Sequence, residues 1–267
     1  MDFADKVVVV TGGGNGIGRQ VVLELLRRGA RVAAVDIREE SLTETVGLAD
    51  AGDRLVTFAL DITDRSATAA LPEKVIAAHG AVDGLMNVAG IIQPFVRLKD
   101  LDYDVIERVI NVNLYGTIHM VKAFLTHLLV RPVAHVANVS SMGGFLPVPG
   151  QTIYGASKAA VKLMTEGLYA ELLDTNVGVS VIFPGAVATD ITGHSGVDIP
   201  AMDSVDQSKI RTTSPEDAAR IILDGIESDD LHIYVGRDSR TMNLLTRVAP
   251  RRATHLIYRQ MKNLLSS

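Results

Sequence analysis

The stretch Val7-Val8-Val9-Val10-Thr11-Gly12-Gly13-Gly14-Asn15-Gly16-Ile17-Gly18 decides the fold of this chain. Its four consecutive valines predict a fully buried strand, and the glycines that follow predict a tight loop. Beyond the loop, the apolar residues recur with helical spacing, at Ile17, Val21, Val22, Leu25 and Leu26. The stretch therefore predicts a strand, a glycine-rich turn and a helix in immediate succession.

A strand, a glycine-rich turn and a helix N-terminus together make a site for an anion. The glycines let the backbone approach a pyrophosphate, and the helix dipole favours its negative charge. The spacing Gly12-x-x-x-Gly16-x-Gly18 differs from the commoner dinucleotide fingerprint. On these residues alone, a glycine-rich turn without a ligand is the alternative.

A second buried strand is predicted at 31–35, and it ends at Asp36. An acid at this distance after the glycines is placed to accept hydrogen bonds from the two hydroxyl groups of a ribose. The carboxylate would repel a 2′-phosphate, so Asp36 favours NAD over NADP, although Arg38 softens that preference. The alternative role for Asp36 is to cap the next helix, which does not explain the glycines.

The alternation of strands and helices continues along the chain. Further strands are predicted at 55–60, 84–88, 133–139 and 231–235, and helices at 64–79, 102–129 and 151–175. Such alternation produces right-handed βαβ units. We therefore predict an α/β protein with a doubly wound parallel sheet of about seven strands.

Composition agrees with this class and narrows the function. Apolar residues make up 47% of the 267 residues, while aromatic residues make up 4% and Trp is absent. An aliphatic core of this kind is typical of parallel strands covered on both faces. The chain has no Cys, which excludes disulfides and thiolate metal sites. His135 and His194 are isolated in the sequence, so no metal is expected.

Charge and hydropathy point to a soluble protein. The net charge of −5 argues against a nucleic-acid surface. No apolar run approaches the 18 residues or so of a membrane span, and residues 1–6 lack the basic start of a signal peptide. We expect a cytoplasmic protein.

Tyr154 and Lys158 are the first candidates for chemistry. Four residues apart on a helix, they project from the same face. A nearby ammonium favours the phenolate, so we expect Lys158 to lower the pKa of Tyr154 and to make it a general acid/base. The alternative is an ordinary pair on a helix surface.

Asparagines and serines nearby supply further candidates. Asn111 and Asn113 interrupt a helical pattern, and because Asn is a poor mid-helix residue they indicate a distortion of that helix. Asparagines that face solvent are the alternative. Ser140 and Ser141 follow the strand at 133–139, where their hydroxyls could cap a turn or face a substrate carbonyl.

Together these motifs resemble the short-chain dehydrogenase/reductase family, in its single-domain branch. The resemblance covers roughly residues 5–235 and rests on several motifs in the right order. Val88 departs from it, because the family has a second Asn there. The matching motifs are Thr11-Gly12-x-x-x-Gly16-Ile17-Gly18, Asn87-x-Ala89-Gly90, Tyr154-x-x-x-Lys158 and Pro184-Gly185-x-Val187-x-Thr189.

The resemblance implies a Rossmann-type fold and four catalytic residues. Tyr154 would be the general acid/base, and Lys158 would lower its pKa and bind the nicotinamide ribose. Ser141, which fits the family spacing better than Ser140, would hold the substrate oxygen. Asn113, which fits better than Asn111, would position a water molecule between Lys158 and solvent.

The resemblance also implies a cofactor site and an oligomer. Asp61 and Ile62 would contact the adenine, and Thr189 would bind the carboxamide of the nicotinamide. The family suggests a homotetramer or homodimer built on helices 102–129 and 151–175. The implied cofactor residues are Gly12, Asn15, Gly16, Ile17, Gly18, Asp36, Asp61, Ile62, Asn87, Ala89, Gly90, Tyr154, Lys158, Pro184, Gly185, Val187 and Thr189.

The loops expected to line the substrate pocket are mostly apolar. They favour an apolar secondary alcohol or ketone, such as a lipid-like, steroid-like or aromatic compound, over a phosphorylated one. Residues 186–212 are expected to form a lid. The residues expected in this pocket are Gln93, Phe95, Met142, Phe145, Val148 and Gln151.

The last thirty or so residues form an extension to the catalytic domain. We expect residues 1–236 to form that domain and 237–267 a basic, amphipathic, helical extension. Its segment 250–265 could lie on an anionic membrane, pack on the protein body, cover the substrate pocket or join subunits. Docking on this protein or on a second copy is favoured, because amphipathic helices mostly bury their apolar stripe that way.

The sequence therefore favours an NAD-dependent oxidoreductase acting on a small-molecule secondary alcohol or ketone. An NADPH-dependent 3-oxoacyl or other carbonyl reductase is the alternative within the same class. A non-catalytic NAD-binding scaffold is the alternative from another class, and the presence of Ser141, Tyr154 and Lys158 argues against it.

Overall fold

A computed structural model describes residues 1–189, 191–195, 197 and 212–262. Seven parallel strands form one sheet in the order β3-β2-β1-β4-β5-β6-β7. This confirms the predicted α/β class and the doubly wound sheet. The strands are β1 Val7–Thr11, β2 Arg31–Asp36, β3 Leu55–Ala59, β4 Gly84–Asn87, β5 Ala134–Val139, β6 Val177–Pro184 and β7 His232–Val235.

Helices connect the strands and cover both faces of the sheet. The first seven are α1 Gly16–Arg27, α2 Glu39–Ala49, α3 Arg65–Ala69, α4 Leu71–His79, α5 Tyr103–Ile110, α6 Thr117–Leu129 and α7 Thr152–Leu172. The others described are α8 Ile191–Ser195, α9 Pro215–Glu227, α10 Arg237–Val248 and α11 Pro250–Met261.

The valines of β1 show why an uninterrupted apolar run suits this sheet. Val8 and Val10 belong to the core on one face, and Val7 and Val9 belong to the core on the other. Successive side chains of a strand point to opposite faces, so a strand covered on both sides must be apolar throughout. All four valines are accordingly buried.

The strand order fixes the position of a ligand cleft. β1 pairs with β2 on one side and with β4 on the other, so the order reverses between β1 and β4. In open α/β sheets, ligands bind outside the carboxyl ends of the strands at such a reversal. Thr11 at the end of β1 pairs with Asn87 at the end of β4, and the loops after both strands begin there.

Two predicted helices differ in detail from expectation. The helix predicted at 64–79 is divided into α3 and α4, with Pro72 in the first turn of α4. Proline suits the start of a helix and disfavours a helical residue before it. The pattern at 102–129 contains a π-helical segment, Asn111–Gly116, between α5 and α6. This confirms the helix distortion expected at the two asparagines.

The C-terminal extension forms two helices, α10 and α11, that pack against each other. Ala253 and Ile257 of α11 are buried in a small apolar cluster with Leu146, which lies in the loop after β5. The apolar stripe of α11 thus packs on the protein's own loop, one of the four arrangements considered from the sequence. Residues 263–265 of the predicted segment lie outside the described residues, as does most of the predicted lid at 186–212.

Across the described ranges, none of the helices is both long and apolar enough to cross a membrane. The same part of the chain contains no group of three His, Asp or Glu side chains arranged to hold a metal ion.

Candidate active site

A cleft of about 940 Å³ opens at the carboxyl ends of the strands. The turn after β1 forms one wall, and the loops after β4, β5 and β6 form the others, with α7 at their junction. Among its lining residues are most of those predicted to bind a cofactor: Gly12, Asn15, Gly16, Ile17, Gly18, Asp36, Asp61, Ile62, Ala89, Gly90, Tyr154, Lys158, Pro184, Gly185, Val187 and Thr189. Sequence reasoning missed others in the same lining, among them Ile37, Thr63, Asp104 and Asn111.

The turn after β1 brings its backbone close to its neighbours. A Cβ atom on Gly18 would lie 2.0 Å from the carbonyl oxygen of Gly12, and one on Gly12, whose φ is +71°, would lie 3.0 Å from Ala89. Thr11 Oγ1 accepts hydrogen bonds from the N–H groups of Val88 and Ala89, which fixes the end of β4 beside this turn.

These contacts leave a cradle of backbone in which side chains would obstruct a ligand. The first turn of α1 begins at the floor of the cradle, and the first N–H groups of a helix have no partners within the helix. Asn15 caps one of them, because its side chain accepts from the N–H of Gly16 at 2.6 Å. The remaining donors and the helix dipole suit a pyrophosphate, so the residues present fit a dinucleotide.

Asp36 is held rigidly at the far end of the cleft. Its two carboxylate oxygens accept hydrogen bonds from the N–H groups of Gly14 and Arg38, each at 3.1 Å. Each oxygen keeps a second lone pair for a hydroxyl group. Helix α2 begins only at Glu39, and Arg38 is its N-cap residue. The carboxylate therefore shapes the turn before α2, and the alternative role as its cap is not observed. The side chain of Arg38 also lines the cleft.

Ser141, Tyr154 and Lys158 meet at the other end of the cleft. Tyr154 and Lys158 lie one turn apart on α7, and all three residues line the cavity. The hydroxyl groups of Ser141 and Tyr154 are hydrogen-bonded to each other. Lys158 is buried, and its Nζ donates to the carbonyl oxygen of Val139 at 3.0 Å. A Cβ atom on Gly90 would lie 2.9 Å from Lys158 Nζ, so the loop after β4 passes directly beside the amine.

Burial dominates the acidity of both groups on α7. Burial raises the pKa of Tyr154 above its ordinary value, and the hydrogen bond with Ser141 opposes this increase. Burial also lowers the pKa of Lys158 to about 8. The expectation that Lys158 makes the phenol more acidic is wrong for this arrangement. Burial disfavours the phenolate, and the amine is directed to the carbonyl of Val139.

Asn113 lies behind the cleft wall. Its side chain is fully buried, and it accepts from the N–H of Ile91 while donating to the carbonyl of Ile91, each at 2.9 Å. It also donates to Ser157 Oγ on α7 at 3.0 Å. The π-helical segment places Asn113 inward, while Asn111 is exposed and lines the cleft. Asn113 thus joins the loop after β4 to α7.

Asn87 requires a correction, because it does not lie along the cleft. Its side chain is buried and donates to Asn138 Oδ1 on β5 at 2.8 Å, and Asn138 donates to Thr165 on α7. Asn87 is therefore part of a buried polar chain that ties β4 to β5 and α7. A side chain at the end of a strand can point into the sheet layers as well as toward a ligand, and sequence position does not distinguish the two.

The predicted substrate residues also require correction, because none of the six is among the described residues that line the cleft. Gln93 and Gln151 are buried and hydrogen-bonded within the protein. Met142, Phe145 and Val148 pack in the cluster with α11, and Phe95 is partly buried in its loop. Apolar residues of the loops after β4 and β6 do line the cleft, among them Ile92, Ala186 and Ile191.

His135 lies far from this chemistry, on β5 at the opposite end of the strand. Burial lowers its pKa to about 3, so the ring is neutral. Its Nε2 lies 2.9 Å from Ser180 Oγ, and Ser180 donates its own proton to the carbonyl of Asp230. The histidine must therefore donate to the serine and cannot act as its base, which supports a structural role.

Comparison with known proteins identifies the family of this chain. A family model for short chain dehydrogenases matches residues 6–199. The chain belongs to the short-chain dehydrogenase family. It is 34% identical over 253 residues to SadH, a protein of Mycobacterium tuberculosis named as an oxidoreductase, covering 92% of this chain and 91% of the relative.

Solved structures of short-chain dehydrogenases share its fold. One from Burkholderia phymatum in complex with NAD has a TM-score of 0.85 at 26% identity, covering 94% of this chain and 96% of that one. One from Burkholderia cenocepacia in complex with NADP has a TM-score of 0.80 at 25% identity, covering 96% and 99%. The chain is thus an oxidoreductase of a family in which both cofactors occur.

Proposed function

We propose that the protein transfers a hydride between NAD(H) and a secondary alcohol or ketone with apolar substituents. The observation that carries this proposal is the convergence of Ser141, Tyr154 and Lys158 at one end of a cleft whose other end holds Asp36 and the glycine turn. A group that moves protons therefore lies within reach of a dinucleotide. The bound nicotinamide would supply the hydride chemistry.

The protein's own residues handle the proton. Tyr154 Oη donates a proton to the carbonyl oxygen during reduction and takes it back during oxidation. Ser141 Oγ, hydrogen-bonded to the same phenol, holds the substrate oxygen and stabilises charge that develops on it. With a pKa near 8, Lys158 can exchange a proton close to neutral pH and so resupply the tyrosine.

The raised pKa of Tyr154 suits the reductive direction. A phenol that stays protonated at neutral pH is ready to donate its proton, while alcohol oxidation requires the phenolate and therefore benefits from alkaline pH.

Tyr154→Phe keeps the ring and removes the proton donor. We expect it to abolish turnover and leave NADH affinity within about twofold, measured by nicotinamide fluorescence. Activity retained in this variant would mean that another group moves the proton, and a wild type without turnover would favour the scaffold alternative.

The preference for NAD is supported by Asp36. Its fixed carboxylate can bind both ribose hydroxyls and would repel a 2′-phosphate. Fluorescence titration with NADH and NADPH tests this, and tighter binding of NADPH by the wild type would refute it. We expect Asp36→Ala to weaken NADH binding and improve that of NADPH. If Asp36→Ala weakens the binding of NADH and of NADPH equally, the carboxylate only shapes the turn.

A carbonyl reductase that uses NADPH is the second candidate, and Arg38 favours it. This guanidinium lines the cleft two residues after Asp36, where it could pair with a 2′-phosphate. Arg38→Ala should leave NADH binding unchanged if NAD is the cofactor. A loss of NADPH affinity of more than about tenfold, about 1.4 kcal/mol, would favour the second candidate.

The apolar substrate class is supported by apolar residues in the lining of the cleft. Ile92, Ala186 and Ile191 line the described part of the same cleft as Ser141 and Tyr154, and such walls favour apolar substituents on the reacting carbon. A panel of secondary alcohols and ketones of graded polarity, assayed by absorbance of the reduced nicotinamide, tests this. Higher kcat/KM for polyhydroxylated or phosphorylated compounds would refute it.

Association into a homodimer or homotetramer is part of the same proposal. Several large apolar side chains on α5 and α7 are exposed in the single chain, among them Tyr103, Leu163 and Tyr169. Surfaces of this kind commonly mark contacts between subunits. Light scattering after size exclusion would test this, and a monomer at micromolar concentration would refute it.

A further inference from the structure

Gln93 is a fully buried amide in the loop after β4, three residues beyond Gly90. Its side chain points away from the cleft and toward the start of α7. A buried amide is costly unless its oxygen and nitrogen are both hydrogen-bonded. The partners of Gln93 therefore indicate what it does.

Those partners are at the N-terminus of the helix that carries the catalytic tyrosine. Gln93 Oε1 accepts from the N–H of Ile153 at 2.8 Å and from the N–H of Tyr154 at 3.0 Å. These are the second and third residues of α7, the positions that an N-cap side chain normally serves. The helix's own N-cap residue, Gln151, makes no such bond. Gln93 supplies the cap from another loop.

Two more hydrogen bonds make the connection rigid. Gln93 Nε2 donates to the carbonyl of Gly150 at 2.9 Å, and Gln151 Nε2 donates to the backbone carbonyl of Gln93 at 2.6 Å. The same loop is held two residues earlier, where Asn113 binds both the N–H and the carbonyl of Ile91. The loop that walls the cofactor cleft and the first turn of α7 are thus joined as one unit.

The other side of the first turn of α7 is also closely packed. A Cβ atom on Gly155 would lie 3.0 Å from the carbonyl oxygen of Gly143, and one on Gly143 would lie 3.2 Å from the ring of Tyr154. The turn that follows Ser141 therefore limits movement of the tyrosine in one direction. Gln93 limits movement of its backbone in the other.

We propose that Gln93 is a positioning residue, which caps α7 from the loop after β4 and so holds the Tyr154 phenol at a fixed distance from the cofactor cleft. This inference rests on the proposed function, because the position of the phenol matters only if it moves a proton during hydride transfer. Gln93 does not line the cleft, so its effect on turnover is indirect. A displacement of a reacting group by about 1 Å can reduce the rate by on the order of 100-fold.

Three variants of the full-length protein separate positioning from simple folding. Gln93→Met keeps the length of the side chain and removes all of its hydrogen bonds. Gln93→Glu keeps an oxygen at the capping position, and burial favours its protonated form, which can still donate to the carbonyl of Gly150 as Gln93 Nε2 does. Gln93→Asn keeps the amide but is one methylene shorter. Gln260→Met, at an exposed position of α11, is the matched control.

The measurements are kcat and KM with the best substrate of the panel, NADH affinity by fluorescence, and the melting temperature. We expect Gln93→Met and Gln93→Asn to lower kcat by about 10- to 100-fold while NADH affinity stays within about twofold. We expect Gln93→Glu to restore kcat to at least about ten times the Asn value. A residue needed only for folding would lower the melting temperature without lowering kcat per bound NADH.

Several results would overturn the inference. A kcat of Gln93→Met within twofold of the wild type would show that the tyrosine needs no such cap. Equal kcat values for the Glu and Asn variants would also show that the tyrosine needs no such cap. This comparison still tests the inference if the Met variant does not fold. Parallel loss of NADH affinity and kcat would indicate general disorder of the site. A wild type without turnover on any alcohol or ketone would instead refute the proposed function.

Discussion

Gly18 offers the sharpest test of the packing between α1 and the glycine turn after β1. A Cβ atom built on Gly18 lies 2.0 Å from the carbonyl oxygen of Gly12 and 2.6 Å from its carbonyl carbon, where real contacts of this kind stay beyond 3.0 Å. Gly18→Ala must therefore move α1 and the turn after β1 apart by about 1 Å. Both obstructing atoms belong to the backbone, so no side chain can rotate to relieve the contact.

The expected cost follows from this geometry. Overpacking of a core costs about 1–3 kcal/mol, and a rigid backbone contact belongs at the upper end. A loss of about 3 kcal/mol lowers the melting temperature of a chain of this size by about 6–12 °C. The same movement displaces the first turn of α1 from the cleft. We expect NADH affinity to fall at least about tenfold, equal to about 1.4 kcal/mol.

Gly167→Ala is the matched control, because it makes the same chemical change in a helix where the added atom meets nothing. Gly167 lies within α7, and a Cβ atom there has no neighbour within 4 Å among the described residues. Alanine should stabilise that helix by about 0.5–1 kcal/mol and leave NADH affinity unchanged. The assays are thermal unfolding and fluorescence titration. A Gly18→Ala protein that binds NADH as well as the Gly167→Ala protein would refute the reasoning.

Three further predictions concern other parts of the site. Lys158→Met should raise the melting temperature most at or below pH 7, because burial disfavours the ammonium in the folded state. This difference in melting temperature from the wild type should shrink as pH rises from about 8 toward the ordinary lysine pKa of 10.5. A difference that does not change with pH would show that the buried ammonium is not its cause. Asp238→Ala removes the carboxylate that accepts from the N–H of Ala186 at 2.9 Å. Because Ala186 belongs to the loop after β6 that lines the cleft, KM for NAD should rise by about 3- to 10-fold. An unchanged KM would show that this loop is held by its other contacts. Ile257→Asp places a charge in the cluster around Leu146 and should lower the melting temperature by several degrees, by about 2–4 °C per kcal/mol, while Leu256→Asp, at a neighbouring exposed position, should change it little. Equal effects of the two would mean that α11 does not dock as described.

The sequence by itself determined the parts of this protein that depend on local patterns. The valine run, the glycine spacing and the helical periodicity predicted the parallel sheet and the anion site, because residue alternation and backbone conformation are properties of neighbouring residues. Asn111 and Asn113 predicted a helix distortion for the same reason, and the structure contains a π-helical segment there. The four-residue spacing of Tyr154 and Lys158 likewise follows from helix geometry alone.

Only the tertiary structure decided where the polar and apolar loop residues point. Gln93 caps a helix sixty residues away, Asn87 joins strands instead of facing the cleft, and Met142 and Phe145 pack on α11. The pKa of Tyr154 also depended on its burial by the fold, which raises that pKa against the opposing hydrogen bond with Ser141. Burial and long-range contacts are set by which segments meet across the fold. A local sequence pattern does not specify those long-range contacts.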